Sequence, residues 1–154
     1  MVVNNNGVQQ ADLDTIKENL VALWLQPGER LAGGYGGGLA RWRENRPITL
    51  FKSHAHMVRS IATSTAIRSN GHAWCTADDD LCVGNDLEKT RCGGCANAVI
   101  DSSHAAVYQG LHDHLGEVLA CGDIGEAGLA RVRRDMDRSA SVLASLGYSV
   151  ETAQ

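Results

Sequence analysis

The chain is short of aromatic side chains, with three tryptophans, three tyrosines and one phenylalanine among 154 residues. Rings normally dominate the energetics of a core, so Ala, Leu, Val and Ile must supply most of it here, within an apolar fraction of 44%. There is no uninterrupted apolar run near the ~18 residues needed to cross a bilayer. The opening Met1-Val2-Val3-Asn4-Asn5-Asn6 lacks a basic segment followed by an apolar one, so nothing marks the chain for secretion and a cytoplasmic location is expected. A net charge of −4 with 21% charged residues excludes a disordered acidic tail and a highly basic DNA-coating protein. Intracellular chains rarely keep disulfides, so the five cysteines need another explanation.

The mild net charge conceals an asymmetry. Residues 1–74 carry eight Lys/Arg and five acids, whereas residues 75–154 carry six bases and 13 acids. Between residues 41 and 68 stand Arg41, Arg43, Arg46, Lys52, Arg59 and Arg68, with Glu44 the single acid. Such a stretch suits DNA or an acidic partner; a solvated helix face is the plainer alternative.

Hydrophobic periodicity predicts a mostly α fold with at most two short strands. Leu13, Ile16, Leu20, Leu23 and Trp24 follow a 3.6-residue period after a capping Asp12, and Pro27-Gly28 stops that helix. The glycine-rich run Gly33-Gly34-Tyr35-Gly36-Gly37-Gly38 fits neither a dinucleotide fingerprint nor a phosphate loop, and reads as a flexible turn or hinge. After a break at Pro47, a longer helix is predicted over residues 49–69, with Phe51, Val58, Ile61, Ala62 and Thr65 on one face, His54 packed on its apolar side, and Asn70-Gly71 as its stop. Ala73–Thr76 and Leu81–Val83 are the candidate strands. The intervening Asp78-Asp79-Asp80 does not match a calcium loop, because the glycine and the closing Glu are misplaced. Asp101, Ser102 or Ser103 caps a helix with the stripe Val107, Leu111, Leu115, Val118 and Leu119. After Gly122 and Gly125, Leu129, Val132, Met136, Leu143 and Leu146 define a partner helix, making an antiparallel hairpin. The expected organisation is a flexible leader (1–10), a helical part with the basic stretch (11–71), a cysteine cluster (72–100), the hairpin (101–148) and a tail (149–154), all in one domain.

Four cysteines fall within 21 residues: Cys75, Cys82, Cys92 and Cys95, the last two as Cys92-Gly93-Gly94-Cys95. A Cys-x-x-Cys knuckle directs two thiolates at one tetrahedral ion, and its glycines allow the tight backbone. Zinc suits four soft thiolates in a structural role, and such a site contributes on the order of 10 kcal/mol to folding. His104, nine residues after Cys95, can replace Cys75 or Cys82 as a ligand, and His72 is a further candidate. A thioredoxin-like pair would need a βαβ unit, which is not visible. Cys121 lies outside the cluster and reads as a semi-buried thiol.

His56-x-x-Arg59 copies the His-x-x-Arg box of tyrosine recombinases, but that chemistry needs a nucleophilic tyrosine close behind the box. Here the next tyrosine is Tyr108, beyond the cysteine cluster, so the box reads as a surface pair at i, i+3. His112 and His114, two apart, do not share a helix face. No nucleophile–base pair is legible, and no small-molecule substrate is evident.

The strings Arg30–Tyr35, Arg59–Ala62, Ile67–Cys75, Leu81–Cys92 and Cys95–Ile100, with the closing hairpin, are similar to the C-terminal region of large bacterial integrase-like proteins. These are relatives of phage-type tyrosine recombinases carried on mobile elements. The resemblance covers roughly residues 28–148. It implies a region that follows a recombinase domain, a role in DNA recombination, and a catalytic tyrosine outside this chain. Only the cysteine positions carry over; no catalytic residue does. The resulting expectation is a small zinc-stabilised helical domain, the non-catalytic module of such a protein. It would serve DNA binding or contacts with other subunits or with a recombinase domain. A stand-alone protein–protein module with structural zinc, docking through the hairpin, is the alternative from another class. An independent redox or hydrolytic enzyme is a third.

Overall fold

Three strands of two residues each divide the helices of this chain into two groups. In a computed structural model, which describes residues 10–45, 47–77 and 89–150, β1 (Arg68–Ser69), β2 (Trp74–Cys75) and β3 (Ala98–Val99) form an antiparallel sheet in the order β1-β2-β3. The helices are α1 (Gln10–Trp24), α2 (Gly34–Glu44), α3 (His54–Ser64), α4 (Ala105–Cys121) and α5 (Gly125–Ser145). The register pairs Ser69 with Trp74 and Trp74 with Val99; it pairs Arg68 with Cys75 and Cys75 with Ala98. Successive strand residues point to opposite faces, so Trp74 and Val99 share one face while Cys75 and Ala98 share the other.

The two buried clusters follow that alternation. Val99 and Trp74 pack with Val21, Trp24, Leu39, Met57 and Val58 from α1, α2 and α3. On the other face, Ala73, Ala98 and Ile100 pack with Cys92, Tyr108, Val142 and Leu143 from the cysteine segment and the α4–α5 hairpin. A mutual pair of backbone bonds between Ala32 and Ile100, 2.8 and 3.0 Å, extends the sheet beyond β3. The chain is mostly helical, as its periodicity predicts, and the hairpin is present. Among the described residues there are three short strands: β2 falls within the expected Ala73–Thr76, β1 and β3 are too brief to show any alternation in sequence, and the expected strand Leu81–Val83 lies outside the described residues.

Several boundaries move for local reasons. α3 begins at His54, where the Ser53 hydroxyl accepts the His56 N–H at 3.1 Å, and ends at Ser64, because Thr65 is already extended. Asn70-Gly71 is therefore the turn of the β1–β2 hairpin and not a helix stop. Its Asn70 Oδ1 accepts the N–H groups of His72 and Ala73 at 3.2 and 2.9 Å. His54 is exposed, since the packed side of α3 is Met57, Val58 and Ala62. Asp12 lies in the first turn of α1, which starts at Gln10, where its charge complements the helix dipole. The buried stripe of α4 is Ala105, Tyr108 and His112. Val107 is 40% exposed, which leaves the Val107–Leu111–Val118 side as a partly solvated apolar flank.

The glycine-rich run is the start of α2, not a hinge. Gly33 has φ +79, and a β-carbon there would overlap the Ala98 carbonyl oxygen; one on Gly34 would stand 2.6 Å from the Ala96 Cα. Gly36 presses on Leu31 and Val99. These three glycines let helix backbone approach strand backbone. Gly37 meets only the flexible end of Arg41, at 3.5 Å. Gly37→Ala is thus expected to raise stability by about 0.5–1 kcal/mol through helix propensity, whereas Gly34→Ala is expected to lower it by about 1–3 kcal/mol through overpacking. Urea unfolding of the two variants checks the contrast, and equal effects would contradict it.

Candidate metal centre at the cysteine-bearing sheet

The cysteine segment enters the structure as a 3-10 turn, Lys89–Gly94, which delivers Cys95 and then β3. Cys95 N–H donates to the Cys92 carbonyl at 3.2 Å, and Ala98 N–H to the Cys95 carbonyl at 3.2 Å. The same Cys95 carbonyl accepts Gly34 N–H at 2.9 Å, tying the turn to the start of α2. On the other side α5 presses down, so that a β-carbon at Gly93 would stand 2.8 Å from Val142 Cγ2, while Gly94 has open space. The two knuckle glycines therefore differ. Gly93 is required by packing and Gly94 is not.

Cys92 is buried and Cys75 and Cys95 are half-buried. Cys75 is fixed on the Ala98 face by the β2–β3 register, the face on which Cys92 and Cys95 pack. The Cys92 sulfur accepts Asn70 Nδ2 at 3.4 Å. Asn70 is oriented by its own turn, because Oδ1 receives two backbone N–H groups and the amide N–H is left for sulfur. The fully buried phenol of Tyr108 also belongs to this cluster. Burial, and secondarily the Cys92 sulfur, push its titration well above the ordinary tyrosine value. Cys82 lies outside the described residues. Among the described residues, no three His, Cys, Asp or Glu side chains already stand together as a metal-holding group. The donors fit zinc in kind, being soft thiols on one face of the sheet.

His104 is not brought to the thiols. It stands on the opposite, Trp74 face, with its ring edge-on to Trp74 at 5.9 Å, and its Nδ1 lies 3.1 Å from the Asp101 amide nitrogen and 3.3 Å from Asp101 Oδ1. A neutral Nδ1 accepts the backbone N–H, and a protonated one donates to the carboxylate. His72 is buried in the β1–β2 turn region, and Cys121 is exposed rather than semi-buried.

Asp101 is the polar centre that sequence reasoning recognises only as a helix cap. It does cap the Ser102–His104 turn, accepting Ser103 N–H at 3.0 Å, and it also accepts the Ser103 hydroxyl. Its other oxygen accepts the indole N–H groups of Trp24, at 3.2 Å, and Trp74, at 3.1 Å. Only 1% of Asp101 is exposed. Burial pushes the carboxyl up, but hydrogen bonds from His104, Ser103 and Trp24 together outweigh it and hold the group well below the usual carboxylate range.

The basic candidates divide. Arg43 donates to the Trp24 carbonyl at 2.7 Å and to the Glu29 carbonyl, satisfying oxygens left over where α1 ends. Arg68 donates to the Ala77 carbonyl at 3.0 Å. Arg59 lies 3.9 Å from Glu18 with both side chains largely in solvent. Its neighbour His56 is exposed, so the His-x-x-Arg pair is a surface feature. Arg41 and Lys52 are exposed, and Arg46 lies outside the described residues.

Because the folded Asp101 carboxyl titrates below its unfolded value, its contribution is complete above about pH 4 and is lost as pH falls further. Asp101→Asn is expected to cost about 2–4 kcal/mol at pH 7, since its amide N–H groups cannot accept from the donors around it. It is also expected to flatten the loss of stability as pH falls from about 4 to about 2. Denaturant unfolding across that range checks both, and an unchanged acid limb would contradict the assignment. No protein-family model matches the chain, and neither a curated protein nor a solved structure shows significant similarity to it.

Proposed function

We propose that this chain is a non-catalytic zinc-binding module of an integrase-like DNA recombination protein, with Cys75, Cys82, Cys92 and Cys95 as the ligands. The observation that carries the reading is the β2–β3 register, which sets Cys75 on the same sheet face as the Cys92–Cys95 turn. When bound, zinc supplies a redox-neutral tetrahedral cross-link. The chain's own residues explain where such a link acts. The cysteine turn touches α2 through Gly34 and α5 through Val142, so fixing it to β2 joins the N-terminal helices to the hairpin.

For a DNA partner, the available cations are the exposed Arg41 and Lys52, with Arg46 alongside in sequence. Arg43 and Arg68 serve the fold instead. A protein–protein module with structural zinc is the second reading, favoured by the solvated flank of α4, where Val107 is 40% exposed.

Metal analysis of the purified chain is expected to find about one zinc per chain, and chelation to reduce helicity cooperatively; a metal-free, fully folded protein would contradict the site. Titration with duplex DNA is expected to show affinity that falls steeply with salt, and Arg41→Glu with Lys52→Glu to weaken it while lowering the salt slope by roughly two. Absence of salt-dependent binding, together with concentration-dependent dimerisation lost in Val107→Glu, would replace the DNA role with the second reading.

A further inference from the structure

The acidic half of the chain concentrates its bases. Residues 75–154 hold six Lys/Arg against 13 acids, and four of the six are Arg91, Arg131, Arg134 and Arg138. The last three stand at i, i+3 and i+7 on α5 and so share one helix face. Arg138 and Arg91 both line a cleft of about 350 Å³ between α5 and the Lys89–Gly94 turn, with Gly93, Gly94, Ser141 and Val142 as its other walls. The cleft is braced from below. Asp135, largely buried, accepts the Thr90 hydroxyl of the turn at 3.3 Å and lies 3.7 Å from Arg138 Nη1. It also lies 3.9 Å from Arg134 Nε. One carboxylate thus ties the turn to the helix and holds two guanidinium groups in place. Positive charge remains in excess, because residues 131–138 carry four arginines against Asp135 and Asp137.

The chemistry of these walls suits phosphate. Arginine forks match phosphate oxygens, and the Ser141 hydroxyl adds a neutral donor. A β-carbon at Gly94 would meet nothing within 4 Å, so packing does not require a glycine there, and its bare backbone leaves the cleft open to close approach. Arg131 lies about 10 Å from Arg138 along the helix axis, a reach that suits a chain of phosphates better than a single anion. We propose that this cleft and the arginine row beside it form a phosphate-binding surface for a nucleic-acid backbone, with Arg91 and Arg138 gripping one phosphate and Arg134 and Arg131 following the strand. The inference rests on the DNA reading above and gives it a second contact surface, carried by different elements from Arg41 and Lys52.

The test uses the full chain and a fluorescent DNA duplex, with affinity read by anisotropy across a salt series and folding of each variant checked by urea unfolding. Arg138→Gln and Arg91→Gln are each expected to weaken binding by about tenfold and to lower the salt slope by about one. Arg138→Lys, which keeps the charge and loses the fork, is expected to recover only part of the affinity. Arg133→Gln, about 140° round the helix from Arg138, is expected to change affinity by less than about twofold. Arg91 is exposed, so its variant carries the test if Arg138→Gln does not fold. If the parent binds DNA and both cleft variants bind like it, or Arg133→Gln loses as much as they do, the proposal fails while the DNA reading stands. A parent that binds no duplex overturns both. Inorganic phosphate or poly-glutamate bound at the same arginines would then reassign the surface to a free phosphate or to an acidic protein.

Discussion

A single buried carboxylate holds the two ends of this fold in register. Asp101 receives an indole N–H from Trp24, 77 residues away, and another from Trp74, 27 residues away, while capping the turn that leads into α4. A buried charge is tolerable only when its hydrogen bonds replace water. Four donors do so here, drawn from α1, β2 and the start of the hairpin. In a chain with so few aromatic residues, two of its three tryptophans are committed by their N–H groups to a single oxygen of this carboxylate. They give the core both its largest apolar surfaces and a directional tether that apolar packing lacks.

The sheet above which Asp101 sits is too small to be stable alone. It acts as a partition: Trp74 and Val99 face the N-terminal helices, and Cys75 and Ala98 face the hairpin. One face is thus organised by the carboxylate, while the other is an apolar cluster that carries the thiols. His104 illustrates the separation. Its sequence distance from Cys95 suits a ligand, yet the partition assigns it to Asp101. The three glycines that begin α2 press that helix onto β3 and onto the turn carrying Cys95 and Ala96, so disturbance of the cysteine turn reaches the helices directly.

Long periodic segments were legible in the sequence. Val132, Met136, Leu143 and Leu146 are buried as their spacing implies, and the hairpin follows. The Cys92–Cys95 knuckle was legible because a four-residue motif carries its own geometry. What could not be read were features created by tertiary contact. β1 and β3 are two residues long and acquire strand geometry only by pairing with β2. Gly33, Gly34 and Gly36 look like punctuation until the neighbouring backbone is in place. Arg43 and Arg68 look like surface charge, and only the fold reveals the carbonyls that bind them. Asp101 was visible as a cap, whereas its bonds to the two tryptophans depend on distant segments meeting.

On the proposed reading the carboxylate face sets the scaffold and zinc on the thiol face would complete it, with exposed cations and the α4 flank open to partners. The claim that four thiolates share one ion is tested most directly by X-ray absorption at the zinc edge of the purified chain. The account predicts a first shell of sulfur alone, about four atoms at about 2.3 Å. A shell containing nitrogen or oxygen at about 2.0–2.1 Å would contradict it.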